Sequence, residues 1–65
     1  MNHVLSKTIL ISKVVEMIAQ KERIPLKDAR NLLYGSDLIR LIEDDETGLY
    51  GESPLYVFSL FEQTM

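Results

Sequence analysis

LSKTILISKVVEMIAQ, Leu5 to Gln20, is the longest apolar-periodic run in the chain, and its reading decides the fold. At about 100° per residue, Leu10, Ile11, Val14, Val15, Met17, Ile18 and Ala19 fill an arc of roughly 200° of a helix, with Ser12, Lys13, Glu16 and Gln20 outside it. Packing against one neighbour hides only about 100°. This helix therefore needs neighbours on two sides, supplied by the rest of the chain or by another molecule.

Working outward, Met1 to Val4 is a short lead-in, with Asn2 or Ser6 available as a cap for the first helix. Cations at Lys21 and Arg23 suit the negative end of the helix dipole and mark its end. Ile24-Pro25 then forces an extended residue before a second helix, predicted over Pro25 to Tyr34, because the proline ring disfavours helical geometry at Ile24 and suits a first turn. Asp28 lies in that first turn, and Ala29, Leu32 and Leu33 give the spacing of an inward stripe. Gly35 reads as a stop and Ser36 as the cap of a third helix, Asp37 to Glu43, with Leu38, Leu41 and Ile42 inward and Ile39 near the edge. A lone glycine inside a helix costs only about 1 kcal/mol, so the separation of helices two and three stays open at this level.

The segment DDETGLYG, Asp44 to Gly51, reads as a loop with a turn at Gly48. Leu49 and Tyr50 are too apolar to be left in water and are expected to fold back as a lid or a short extended segment. Ser53-Pro54 is the clearest start signal, a side-chain acceptor followed by a proline at the first helical position. Helix four is predicted over Pro54 to Gln63, with Leu55, Tyr56, Val57, Phe58, Leu60 and Phe61 spread over roughly 260°. The expected fold is all-α: a single small four-helix domain with a long first helix and a short irregular segment before the last.

A chain of 65 residues buries only about 60 % of the surface it exposes when unfolded, so help from a disulfide, a metal or a second subunit is expected. There is no cysteine, and His3 is the single histidine, which leaves oligomerisation by elimination. The 46 % hydrophobic and 26 % charged residues are those of a folded globular protein rather than a disordered one. Net charge is −3, and the seven cations are spread along the chain, which argues against nucleic acid as a partner. Lys7, Lys13 and Glu16 interrupt the longest apolar run, and no cleavage-site pattern follows it. The expected location is the cytoplasm, with no membrane association.

Nucleophilic catalysis needs a nucleophile, a base and a group to orient the base, and one terminal histidine without cysteine does not assemble them. The three glycines stand as punctuation and form no phosphate loop. The expectation is a protein that is not an enzyme and uses no cofactor. The acidic run Glu43 to Glu46 lacks the alternate spacing of a calcium loop, so it reads as a solvated helix end and not as a metal site.

IPLKDARNLLYGSDLIRLI, Ile24 to Ile42, resembles a helix-turn-helix of the excisionase or MerR type in its lysine-acid-alanine start, its Leu-Leu pair, its glycine-serine turn and its Leu-Ile-Arg-Leu-Ile run. It departs in placing Arg30 where such motifs often carry a second small residue, and its glycine falls late. This resemblance implies DNA binding through Lys27, Arg30 and Arg40, kept as the alternative reading. The amphipathic first helix, Ile24-Pro25 with Ala29 four residues later, and the ending ETGLYGESPLYVFSLFEQ together resemble a group of short bacterial helical proteins of unknown function, some encoded beside toxin-like genes. That resemblance implies a non-catalytic protein that binds another protein, as an antitoxin or accessory component.

The main expectation is therefore an interaction module that self-associates as a homodimer through surplus apolar surface on helices one and four. Its expected interface residues are Ile11, Val15, Tyr50, Tyr56, Val57 and Leu60.

Overall fold

The computed structural model describes residues 3–64. Helices α1 (Val4–Glu22), α2 (Leu26–Tyr34), α3 (Leu38–Glu43) and α4 (Pro54–Gln63) follow one another, with two 3-10 turns, Asp45–Thr47 and Leu49–Gly51, between α3 and α4. The fold is all-α with a long first helix and an irregular segment before the last, as the sequence implies. The possible cap at Asn2 lies outside the described residues. Ser6 is not the cap; it lies inside α1, which His3 precedes without a side-chain capping bond.

The core is built on α1, which contributes Leu10, Ile11, Val14, Val15 and Ile18. Both α2 and α4 pack against α1, so the chain itself supplies the neighbours that the wide apolar arc demands. Ala29 and Leu33 come from α2, Leu38, Ile39 and Ile42 from α3, and Val57 and Phe61 from α4. Met17 and Ala19, at the margin of the arc, are only half-buried. Surface area agrees with a closed monomer: 4527 Å², against about 4,200 Å² expected for a chain of this mass.

Local chemistry sets the helix ends. The chain leaves α1 through Arg23, whose φ of 57° and ψ of 48° are left-handed, and Ile24 N–H returns to the Ala19 carbonyl at 3.1 Å. Pro25 has ψ 156° and precedes α2 rather than opening it; its carbonyl accepts the first bond, from Ala29 N–H at 3.0 Å. Helices α2 and α3 are separate. Ser36 is not the cap of α3, because its hydroxyl donates back to the Leu33 carbonyl at 2.8 Å and closes the end of α2. Asp37 takes the cap position without a capping bond, its carboxylate accepting instead from the Arg40 guanidinium at 2.7 Å.

Two inward assignments change. Leu32 on α2 is exposed while Leu33 is buried, and Leu41 on α3 is exposed while Ile39 is buried. In each helix the packed side is rotated toward the neighbouring apolar residue.

After α3, Asp44 accepts from Glu46 N–H at 2.9 Å, and the Thr47 hydroxyl donates to the Leu41 carbonyl at 2.6 Å. Gly48 turns the chain at φ 66°. Leu49 and Tyr50 then fold back as a 3-10 turn rather than a strand, with Leu49 packed on the core. The last helix starts as its sequence signals: the Ser53 hydroxyl accepts from Tyr56 N–H at 3.1 Å, and Pro54 occupies the first turn.

Two substitutions test the left-handed positions. Arg23→Gly removes the steric cost of a side chain at positive φ and is expected to raise stability by about 0.5–1 kcal/mol, the relief exceeding the added backbone entropy. Gly48→Ala meets no atom within 4 Å yet is expected to lower stability by about 1 kcal/mol, because the strain is in φ. Denaturant unfolding of both variants measures the two signs.

Candidate interaction surfaces

Lys7 fixes the relation between α1 and the loop that follows α3. Its Nζ donates to the Glu43 carbonyl at 2.8 Å and to Asp45 Oδ1 at 2.5 Å, and it lies 5.7 Å from the centre of the Tyr50 ring. Tyr50 in turn stacks on His3, ring centres 4.4 Å apart, with its hydroxyl 3.2 Å from Nε2. The Lys7 hydrogen bond holds the Asp45 carboxyl below its ordinary value, with desolvation opposing and the Lys7 charge assisting. At the other end of α1, Lys21 pairs with Glu62 of α4, and that hydrogen bond raises the Lys21 ammonium above its ordinary value.

The acidic run is thus divided among separate tasks, Asp44 capping the start of the turn Asp45–Thr47 and Asp45 meeting Lys7. Among the described residues no three His, Cys, Asp or Glu side chains gather where they could hold a metal ion.

Two adjoining depressions run along α1 beside the start of α4. The first, about 330 Å³, is lined by Ile9, Lys13, Tyr50, Glu52 and Pro54 among others; the second, about 390 Å³, continues along Lys13, Glu16, Met17, Pro54 and Leu55. Ile9 is 48 % exposed and Leu55 67 % exposed. Leu5, one turn before Ile9 on the same side of α1, is 69 % exposed. The periodicity is visible in the sequence: Leu5, Ile9, Lys13, Glu16 and Gln20 recur at helical spacing outside the core arc. Its two leading apolar members were hidden by the stronger arc beside it.

A third pocket, about 310 Å³, lies between the first half of α1 and α2, lined by Val4, Lys7, Thr8, Ile11, Ser12, Arg30, Tyr34 and Glu43.

The residues expected at a partner interface divide. Ile11, Val15 and Val57 lie in the chain's own core and are not available at its surface. Leu60 is half-buried against that core, Tyr50 is engaged with His3, and Tyr56 is 49 % exposed. The surplus apolar surface along α1 and the start of α4 instead includes Leu5, Ile9, next to the core residue Leu10, and Leu55, two before Val57. Of the candidate DNA-contacting cations, Lys27 and Arg30 are exposed a turn apart on α2, whereas Arg40 on α3 is paired with Asp37.

Comparison with family models, curated proteins and solved structures gives no match to this chain.

The Lys7–Asp45 tie predicts a pH effect with a definite sign. A carboxyl whose folded value is depressed adds stability above its unfolded value, about 3.9, and loses that contribution as pH falls through the folded value. Asp45→Asn is therefore expected to melt below the parent near neutral pH, with the gap closing in acid. Because the pair is exposed, salt should narrow the gap as well. Parallel melts across pH and salt check both.

Proposed function

We propose that this protein is a non-catalytic interaction module that self-associates, most simply as a homodimer, through the depressions along α1 and the start of α4. The observation that carries the reading is the row of exposed Leu5, Ile9 and Leu55 beside them. Full burial of a leucine or isoleucine side chain is worth about 1.5–3 kcal/mol. These three residues thus supply several kcal/mol toward association before the cost of immobilising two chains.

A second copy is the occupant that suits this face. Its charged groups are of both signs, Lys13 with Glu16 and Glu52, so the same surface can oppose itself across a two-fold axis and pair unlike charges. A standard interface covers about 800 Å² per partner, between a sixth and a fifth of the 4527 Å² that one chain exposes. An accessory or antitoxin-like role in a bacterial cytoplasm accords with the resemblance noted in the sequence. No helix among the described residues is long and apolar enough to cross a membrane.

The alternative, a helix-turn-helix regulator, draws on the exposed Lys27 and Arg30. It has less to work with in α3, which is six residues long, buries Leu38, Ile39 and Ile42, and pairs its Arg40 with Asp37. Base readout needs several polar side chains on one helix, backed by phosphate-binding cations.

Light scattering across a concentration series tests the main reading. The parent is expected to show a dimer mass at high concentration, and Ile9→Asp or Leu55→Asp to weaken association by tenfold or more, about 1.4 kcal/mol, with helical content retained. A parent that stays monomeric throughout defeats self-association; a dimer indifferent to both substitutions defeats the assignment of this face.

A further inference from the structure

The pocket between α1 and α2 differs in chemistry from the depressions along α4. Its walls are apolar at Val4 and Ile11, and Arg30, Ser12 and Tyr34 are among the residues that line it. The Lys7 ammonium is already taken by the Glu43 carbonyl and Asp45, and the Thr8 hydroxyl by the Val4 carbonyl. Among the described residues Arg30 makes no ion pair: those present are Lys7–Asp45, Lys21–Glu62 and Arg40–Asp37. Among the described residues neither the Ser12 nor the Tyr34 hydroxyl has a hydrogen-bond partner. Among the described residues, an arginine without an ion pair and two hydroxyl-bearing residues without a hydrogen-bond partner therefore line a cleft of mixed polar and apolar character in a protein whose net charge is −3.

The outer face of α2 extends the pattern. Lys27, Arg30 and Tyr34 stand three and four residues apart, so they form one stripe along the helix. Lys27 is exposed and, like Arg30, makes no ion pair among the described residues.

We propose that this pocket and stripe dock an acidic segment of a partner protein, one carboxylate bound by Arg30 and an adjacent apolar side chain set against Val4 and Tyr34. An arginine fork matches a carboxylate with two parallel N–H bonds, and a half-exposed tyrosine offers an apolar body with a hydrogen-bonding tip, a type enriched at protein interfaces. Charge complementarity identifies the partner's chemistry. Glu43, which also lines the pocket, opposes every anion there, a carboxylate included, so the choice between them rests on the number of cations: two are few for DNA, whose binders neutralise about six to ten phosphates. This surface is separate from the one assigned to self-association, so either assignment can fail without the other.

The probe is the blocked peptide acetyl-Glu-Leu-Glu-Glu-Phe-Leu-amide, titrated into the full chain and followed by backbone amide shifts, beside its counterpart with every glutamate replaced by glutamine. Saturating shifts at Ser12, Arg30 and Tyr34 are expected for the acidic peptide, with at least tenfold weaker binding of the neutral one. Arg30→Gln should weaken the acidic peptide at least tenfold, Arg40→Gln should leave it within twofold, and Glu43→Gln should tighten it about twofold or more. Equal binding of the two peptides, no shift with either, or indifference to Arg30→Gln overturns the proposal. Movement of the same amides by a short DNA duplex but not by the peptide would make this a nucleic-acid surface. Movement on raising protein concentration alone would give the pocket to a second copy; either result overturns the acidic-segment assignment.

Discussion

Burial of one side of α1 from two directions is the constraint on which the other elements depend. Val14 and Ile18 are fully buried, Val15 nearly so, and Leu10 and Ile11 complete a strip too wide for a single neighbour. The chain has no cysteine, and α2 and α4 both reach this strip. The left-handed Arg23 reverses the chain so that α2 returns along α1. The turn at Gly48 and the Ser53-Pro54 start bring α4 back to the other flank. Without that return, Val57 and Phe61 would have nothing to pack on, and the largest apolar contribution of the C-terminal third would face water.

The ends of α1 are tied by charge as well as by packing. Lys7 binds the end of α3 and Asp45, and Lys21 binds Glu62. Exposed ion pairs contribute little to stability; their value lies in register. Lys7 is the more constrained of the two, since its ammonium also meets a backbone carbonyl beside the Tyr50 ring. The acidic run is thereby drawn toward a lysine more than thirty residues earlier, and its charge is partly cancelled at the protein's own surface.

What the core leaves outside is organised on distinct faces. Along α1 and the start of α4 lie Leu5, Ile9 and Leu55 with charges of both signs, a composition suited to a second copy. On α2 lie Lys27, Arg30 and Tyr34 beside a cleft, a composition suited to an acidic guest. A protein of this size can carry two such faces because one helix side suffices for the core in α2 and in α4.

The sequence by itself determined the helices, their order and most of their ends, because these follow from local causes: periodicity over Leu5 to Gln20, the proline after Ile24, the glycine at a positive-φ turn, and the Ser53-Pro54 cap. It was also enough to require two neighbours for the first helix. Tertiary structure alone decided which members of the wider apolar arcs are buried and which are left outside. Of Leu32 and Leu33, both expected inward, only Leu33 is buried; Ile39 is buried and Leu41 exposed; and Val57 is buried while Leu55 and Tyr56 are exposed. A helical wheel defines an arc wider than any one neighbour can cover. Which part of the arc is buried depends on where distant elements cross it, and that is settled by close packing among residues far apart in the chain.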